Sequence, residues 1–468
     1  MSPTGIRIYS TLSKRKEPLV AGPDGVVGIY ACGPTVYSRI HIGNARPFVV
    51  FSVLKRFLDR QGYRAVLVCN VTDVNDKIYD AGRREGISST EAAAKYTRAY
   101  IDDTDRLGLG RPTHEPTVVE TMPQIIQLIA DLVDKGLAYP AAGDVYFRVE
   151  RFDGYGKLSG RVLDELRSEE PGDGKENPLD FALWKGHKPD EDMFWESPWG
   201  PGRPGWHIEC SAMAEALLGV EFEIHGGGLD LVFPHHENEI AQSEGARDRP
   251  FAKIWMHNEM LELAGEKMAK SVGNIASLGQ VLDAWPRDTI IAYFLTSHYR
   301  SKLPFSDERL DEAGKRYERI KNALRSLSAA IEAHGEGIDP KLTAALMNGR
   351  TRFFDALSDD FNTPEAWAAL DGLVRAVNLA VEGQHPSADQ LREAKRVINE
   401  LLDVFALAPA DDDDAPAGIP AQVQQLADAR LAARAAKDFA ESDRLRDAIA
   451  ALGYEVRDTA GGQELRLA

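Results

Sequence analysis

Four side chains in this sequence have the types needed to hold a metal ion: Cys32, Cys210, His235 and Glu239. His235 and Glu239 are four residues apart on a predicted helix, so they share a face. His236 should point about 100° away from that face. Cys32 follows an apolar run at 26–31 that reads as a strand, and Cys210 closes a second predicted strand at 205–210. Parallel strands end on the same side of a sheet, so the four groups can meet. Sulfur, nitrogen and oxygen donors of this kind suit zinc. The spacing is long-range, unlike that of a zinc finger. On the residues alone each cysteine also reads as a small buried apolar side chain, and His235 as a surface-helix histidine. Cys69, inside an apolar strand, keeps that ordinary reading.

A second chemical stretch is Ala31-Cys-Gly-Pro-Thr-Val-Tyr-Ser-Arg-Ile-His-Ile-Gly-Asn-Ala-Arg46. His41-Ile-Gly-Asn44 falls where a helix should begin. Unpaired N–H groups and the positive end of the helix dipole favour a phosphate there. Gly43 removes a side chain that would block close approach. Further on, Gly265-Glu-Lys-Met-Ala-Lys-Ser-Val-Gly-Asn274 offers Lys267 and Lys270 as phosphate donors, or as two solvated loop lysines.

The elements that must position these groups follow from hydrophobic periodicity. A strand at 26–31, a helix through 47–58 and a strand at 63–71 form a parallel crossover unit, whose carboxyl end binds ligands in α/β sheets. Helical periodicity recurs at 84–107 and 116–137, then gives way to short strands and glycine turns at 139–163 and a Pro/Gly/acid-rich stretch at 164–205. Strands are expected at 220–228 and 253–263, with Pro234 as a first helical residue. Amphipathic helices are expected at 309–333, 341–356, 363–382 and 387–405. An acidic, Pro-bearing linker at 409–419 precedes a small unit of one or two helices and short strands at 420–468.

At 468 residues the chain should form two to four domains. Its composition, 43% apolar and 27% charged, is that of a globular protein without a membrane span or signal peptide. Three cysteines argue against a disulfide framework and for a reducing, cytoplasmic compartment. The net charge of −18 excludes a general nucleic-acid coat, but not a local basic surface for RNA.

His41-Ile-Gly-Asn44 resembles the "HIGH" signature of class I aminoacyl-tRNA synthetases. Further ordered motifs extend the likeness: Cys32-Gly-Pro-Thr-Val-Tyr37, Asn70-Val-Thr-Asp-Val-Asn-Asp-Lys77, Asn177-Pro-Leu-Asp-Phe-Ala-Leu-Trp-Lys185, Gly205-Trp-His-Ile-Glu-Cys210, Gly226-Gly-Gly-Leu-Asp230, Phe233-Pro-His-His-Glu-Asn-Glu239, Lys267-Met-Ala-Lys-Ser271, Lys437-Asp-Phe-Ala and Asp443-Arg-Leu-Arg-Asp447. Together they resemble the cysteinyl-tRNA synthetase family over nearly the whole length.

The resemblance implies an α/β architecture. A Rossmann-like parallel-sheet catalytic domain (1–115 and 205–252) carries an inserted connective subdomain (116–204). A signature-loop junction (253–308), an all-α helical bundle (309–408), the linker and a small α+β anticodon-binding unit (420–468) follow. It implies ATP-dependent attachment of L-cysteine to tRNA(Cys) through cysteinyl-adenylate, with Mg²⁺ accompanying ATP. It implies one Zn²⁺ on Cys32, Cys210, His235 and Glu239, binding the substrate thiolate and rejecting serine without an editing domain. His41, Asn44, Lys267 and Lys270 carry over as catalytic groups around the phosphates. Gly227 and Asp230 join His41, Asn44 and Lys270 in binding ATP. Gly33, Thr72, Trp206 and His207 carry over to the cysteine pocket, and Arg434, Asp443, Arg446 and Asp458 to anticodon reading. A monomer is implied.

Three departures stand out. Ala269 replaces a common serine, Phe439 a frequent tryptophan, and the tail Gln463-Glu-Leu-Arg-Leu-Ala468 a frequent Trp-Arg-Arg. The alternatives are a cysteine ligase of mycothiol synthesis, which shares the catalytic domain and metal set but lacks the anticodon unit, and a non-catalytic tRNA-binding relative, which should have lost the phosphate lysines or metal ligands.

Overall fold

The computed structural model describes residues 5–163, 174–263, 276–333, 337–383, 386–407, 421–435, 438–452, 454–459 and 462–467. The chain forms two compact units, Met1–Pro409 and Ala410–Ala468.

In the first unit, β1 (Arg7–Ser10) and β2 (Arg15–Pro18) make an antiparallel ribbon. β3 (Val26–Ala31), α1 (Ile42–Arg60) and β4 (Arg64–Cys69) make the expected parallel crossover. α1 starts before Pro47, where the apolar periodicity begins. His41 is extended, and its N–H donates to Asn44 Oδ1 at 3.2 Å, which pins the first turn. α2 (Asp76–Glu85) is capped by Asn75, and α3 (Ser89–Arg106) by a reciprocal Ser88–Glu91 pair. α4 (Met122–Asp134) buries Met122, Ile125, Leu128, Ile129 and Leu132, the stripe that predicted it.

Next, β5 (Ala138–Ala141), β6 (Asp144–Phe147), β7 (Phe181–Gly186) and β8 (Gly202–Pro204) form an antiparallel sheet in that order. The strand expected at 205–210 is instead the start of a helix, α5 (Trp206–Leu218). Gly205 makes the change: it is extended, and a Cβ there would lie 2.0 Å from the Ala182 carbonyl of β7. Only glycine fits against β7 here, and its N–H makes a last bond to the Leu183 carbonyl at 2.8 Å before the helix begins. α5 is buried continuously from His207 to Ala214, so its short apolar run carried no amphipathic period to distinguish helix from strand.

β9 (Phe222–Gly228), α6 (Glu237–Arg247) and β10 (Ala252–Asn258) complete the main sheet, which is parallel throughout in the order β10-β9-β3-β4. The single strand expected at 253–263 is two, because the chain breaks at Glu259 and Met260 before β11 (Leu261–Leu263). α7 (Leu278–Ala284) and α8 (Arg287–Leu295) precede β12 (Leu303–Phe305), which pairs parallel with β11. A helical bundle follows: α9 (Asp307–Ala333), α10 (Pro340–Ser358), α11 (Thr363–Glu382) and α12 (Ala388–Val404), close to the predicted bounds.

The main core lies under the sheet. Tyr30, Val68 and Trp255 pack with Met122, Ile125 and Ile129 of α4, Ile208 and Met213 of α5, and Ile240 of α6. Side chains alternate along a strand, so the neighbours of Tyr30 and Val68 face the other way, toward α1. Gly226 of β9 shows how close α1 comes: a Cβ there would meet the Phe51 ring at 2.3 Å.

The second unit holds α13 (Ala421–Ala435), α14 (Phe439–Ala451) and a hairpin of β13 (Tyr454–Thr459) and β14 (Gly462–Leu467). Val423, Ala427 and Ile449 form its small core.

Candidate metal centre and substrate cleft

The carboxyl ends of the parallel strands open into a cleft of about 350 Å³. Its walls include Cys32 and Gly33 after β3, His41, Gly43 and Asn44 at the start of α1, Trp206, Gly228 and Asp230, and Asn258 to Met260. His41 is half-buried. Its pKa is lowered by burial, and the Asp230 carboxylate opposes that shift, so the two side chains sense one another.

The four donors named from the sequence meet at the floor. Cys32 Sγ and Cys210 Sγ are 3.9 Å apart, Cys32 Sγ and Glu239 Oε1 3.6 Å, and His235 Nε2 and Glu239 Oε1 3.1 Å. All four ligand atoms lie within 4.8 Å of one another. A tetrahedral zinc has S···S edges of about 3.8 Å and N···O edges of about 3.3 Å, so the donor set fits that ion. Electrostatics agree. Burial pushes the Cys32 thiol and the Glu239 carboxyl well above their ordinary values, and neutral histidines surround them. A divalent cation is the species that would let these acids ionise.

The positions of the donors follow from the fold. Cys210 sits in the second turn of α5 rather than at a strand end, and it reaches the floor because α5 packs beside α6. His236 corrects a further expectation. It does not turn away from the cluster: its Nε2 is 3.3 Å from Cys32 Sγ. Residues 232–236 form a wide π-type turn with Phe233 extended, so the 100° step of a regular helix does not hold.

Each donor is held from behind. His207 Nδ1 and His235 Nδ1 are 2.9 Å apart, which leaves His235 Nε2 facing Glu239. Burial lowers the His207 pKa to about 3, so its ring stays neutral and available as this partner. Trp206 stacks on His235 with ring centroids 4.4 Å apart. His225 Nε2 meets the far oxygen of Glu239 at 2.8 Å. His236 Nδ1 meets His257 Nε2 at 2.7 Å, and His257 Nδ1 meets the Thr11 hydroxyl at 2.7 Å. A second grouping, Cys32, His225, His236 and Glu239, is equally compact.

Asn70 organises the neighbouring wall. Its Oδ1 accepts from Gly33 N–H at 2.9 Å and from Cys210 Sγ at 3.7 Å, and its Nδ2 donates to the Thr72 hydroxyl at 3.1 Å. Thr72 in turn donates to Glu209 Oε2 at 3.3 Å. A Cβ on Gly33 would fall 1.7 Å from the Asn70 carbonyl.

Residues 19–315 match the family model described as the tRNA synthetases class I (C) catalytic domain. Residues 352–408 match a DALR domain, and 417–466 the cysteinyl-tRNA ligase anticodon binding domain. The chain is 44% identical to a cysteine–tRNA ligase of Geobacter sulfurreducens over 98% of each chain. It is 45% identical to that of Nitratidesulfovibrio vulgaris, over 98% of this chain and 99% of the relative. The chain belongs to the cysteine–tRNA ligase family. Solved class I synthetases share the fold at low identity. Mycobacterium tuberculosis methionyl-tRNA synthetase superposes with a TM-score of 0.60 at 13% identity, over 84% of this chain and 96% of that one. An Agrobacterium radiobacter LeuRS gives 0.61 at 12%, over 83% and 85%.

Within this cysteine–tRNA ligase family member, the structure brings together His41, Asn44, Asp230, Gly33 and Trp206 on the cleft wall, with the metal donors below. Thr72 and His207 lie one layer behind, buried. Gly227 sits within β9, where an added Cβ would lie 3.0 Å from Leu231 and 3.3 Å from His236. Lys267 and Lys270 lie outside the described residues. In the second unit Arg434 is on α13, Asp443 and Arg446 pair with each other as exposed side chains of α14, and Asp458 is in β13 opposite Gln463. Sequence reasoning missed Asn70, His225 and His257. Asn70 stands just past the end of β4 and His257 next to the end of β10, whereas His225 lies midway along β9, where no end-of-strand signal marks it.

Proposed function

We propose that this chain ligates L-cysteine to tRNA(Cys) at the expense of ATP, and that the thiol is recognised at the floor of the cleft. The observation that carries this reading is the Cys32, Cys210, His235 and Glu239 cluster directly beneath the wall that starts α1. A zinc ion on those four groups supplies a binding position that a thiolate fills well and an alcohol poorly.

The chain's own residues do the rest. Trp206, stacked on His235, walls the cysteine side chain. Gly33, held by Asn70, lets the amino acid lie against backbone. The cysteine carboxylate then attacks the α-phosphorus of ATP and pyrophosphate leaves. His41 and Asn44 flank that phosphate path at the positive end of α1, where fixed donors stabilise developing charge. Lys267 and Lys270 complete the set, with Mg²⁺ on the leaving phosphates. A terminal hydroxyl of the tRNA attacks the carbonyl of cysteinyl-adenylate, forming the ester and releasing AMP. Asp230 holds the ribose. Arg434, Asp443, Arg446 and Asp458 read the anticodon. The domain boundaries expected above, a monomeric state and a cytoplasmic location belong to the same reading; among the described residues no helix is long and apolar enough to cross a membrane.

The test is aminoacylation of tRNA(Cys) with cysteine and serine in competition, beside Cys210→Ser with metal content assayed. Charging of cysteine alone, lost together with the metal in the variant, supports the reading. Activation of cysteine without transfer to tRNA would favour the small-molecule ligase, a reading that the anticodon-domain match at 417–466 disfavours.

A further inference from the structure

Arg46 lies in the second turn of α1 and is 1% exposed, yet it makes no ion pair among the described residues. Its partners are four backbone carbonyls. Nη1 donates to Glu259 at 2.6 Å and Met260 at 3.2 Å, and Nη2 donates to His298 at 3.1 Å and Ser301 at 2.7 Å. Burial lowers its pKa to about 10, so it remains charged at neutral pH.

These carbonyls belong to two distant segments. One is the break between β10 and β11; the other is the turn before β12. The segments also bond to each other, Glu259 N–H donating to the Tyr299 carbonyl at 2.8 Å. Where a strand breaks, carbonyls lose their ladder partners and must find others. A planar guanidinium with five fixed donors serves several at once, which an ammonium on a flexible stem does not. Glu259 and Met260 line the same cleft as His41, Gly43 and Asn44, which belong to the same helix end as Arg46. One side chain thus ties the two walls of the phosphate end of the cleft together.

We propose that Arg46 is a positioning residue for the nucleotide: it fixes the wall at Asn258–Met260 against the first turn of α1, without touching the amino-acid side of the site. The proposal rests on the reading above that ATP binds at that helix end. Among the described residues Arg46 makes no hydrogen bond to the metal floor or to the Gly33–Asn70–Thr72 wall, so these should not respond to its loss.

The test uses full-length Arg46→Lys and Arg46→Gln. ATP binding is measured by titration calorimetry, KM for ATP and for cysteine by pyrophosphate exchange, and Tm by calorimetry. Leu370→Ala in the bundle core serves as a comparison of matched thermal loss. The expected result is at least a tenfold weaker Kd and KM for ATP in Arg46→Gln, a smaller loss in Arg46→Lys, cysteine KM within twofold, and unchanged metal content. ATP affinity within twofold of wild type in both variants overturns the proposal. So does an equal rise in both KM values, or the same ATP loss in Leu370→Ala. Arg46→Lys carries the test if Arg46→Gln does not fold. Wild-type protein that binds no ATP defeats the functional reading itself; wild-type binding with unaffected variants defeats only the role of Arg46.

Discussion

Cys32 Sγ and Cys210 Sγ lie 3.9 Å apart although 178 positions separate them in the chain. That separation is the S···S edge of a zinc tetrahedron, so removing one sulfur should release the metal. Cys210→Ser is expected to retain less than about a tenth of the wild-type zinc under dialysis, read by atomic emission, and to lose cysteine activation with it. Full zinc content in the variant would mean that Cys210 is not a ligand.

His207 would act on a bound metal through His235 Nδ1, 2.9 Å away. Loss of such an outer partner typically weakens metal binding about 10–100-fold. His207→Ala should show that loss in a competitive chelator titration while still folding, and a raised KM for cysteine. An unchanged zinc affinity would leave His207 only a packing role.

Gly33 admits no side chain, because a Cβ would sit 1.7 Å from the Asn70 carbonyl, which is backbone and cannot swing aside. Gly33→Ala must displace either the end of β3 or the Asn70 segment. The expected cost is at least about 2 kcal/mol of stability, or a fall in cysteine activation of about 100-fold if the fold absorbs the strain. Denaturant unfolding and pyrophosphate exchange on the same preparation distinguish the two.

His257 is held neutral by burial, with its pKa lowered to about 3. Its unfolded counterpart takes up a proton near pH 6.5. Stability is therefore complete above pH 6.5 and falls as pH drops from 6.5 toward 3, where the unfolded chain binds the extra proton. The slope is about 1.4 kcal/mol per pH unit for this one group. His257→Gln should have a shallower decline between pH 6 and 4 by about one proton, measured from unfolding free energies across that range.

Arg446 and Asp443 pair with each other as exposed side chains on α14. Arg446→Ala should leave cysteine-dependent pyrophosphate exchange within twofold and reduce tRNA(Cys) charging by about tenfold or more, since a base contact contributes about 1–3 kcal/mol. Charging at the wild-type rate would remove Arg446 from the anticodon set.

Much of this molecule was legible in the sequence, and the exceptions share a cause. The β3–α1–β4 crossover, the α4 stripe and the four bundle helices each bury one face against a neighbour, so their periodicity appears in the order of residues. α5 is covered by α4, α6 and β7, so its first turns show no period and 205–210 reads as a strand, while the helix through Met213, Leu217 and Leu218 was legible. The four candidate metal donors were nameable because their chemical types are uncommon together. By itself the sequence determined which groups could bind a metal, which helix end could face a phosphate, and which family the chain resembles, because those depend on residue type and short spacing. Only the tertiary structure decided that His236 and His225 join the cluster, that Asn70 braces Gly33 and Thr72, and that Arg46 spans two walls of the cleft. Those relationships depend on where distant strand ends and an irregular turn at 232–236 come to rest, and long-range packing sets that geometry.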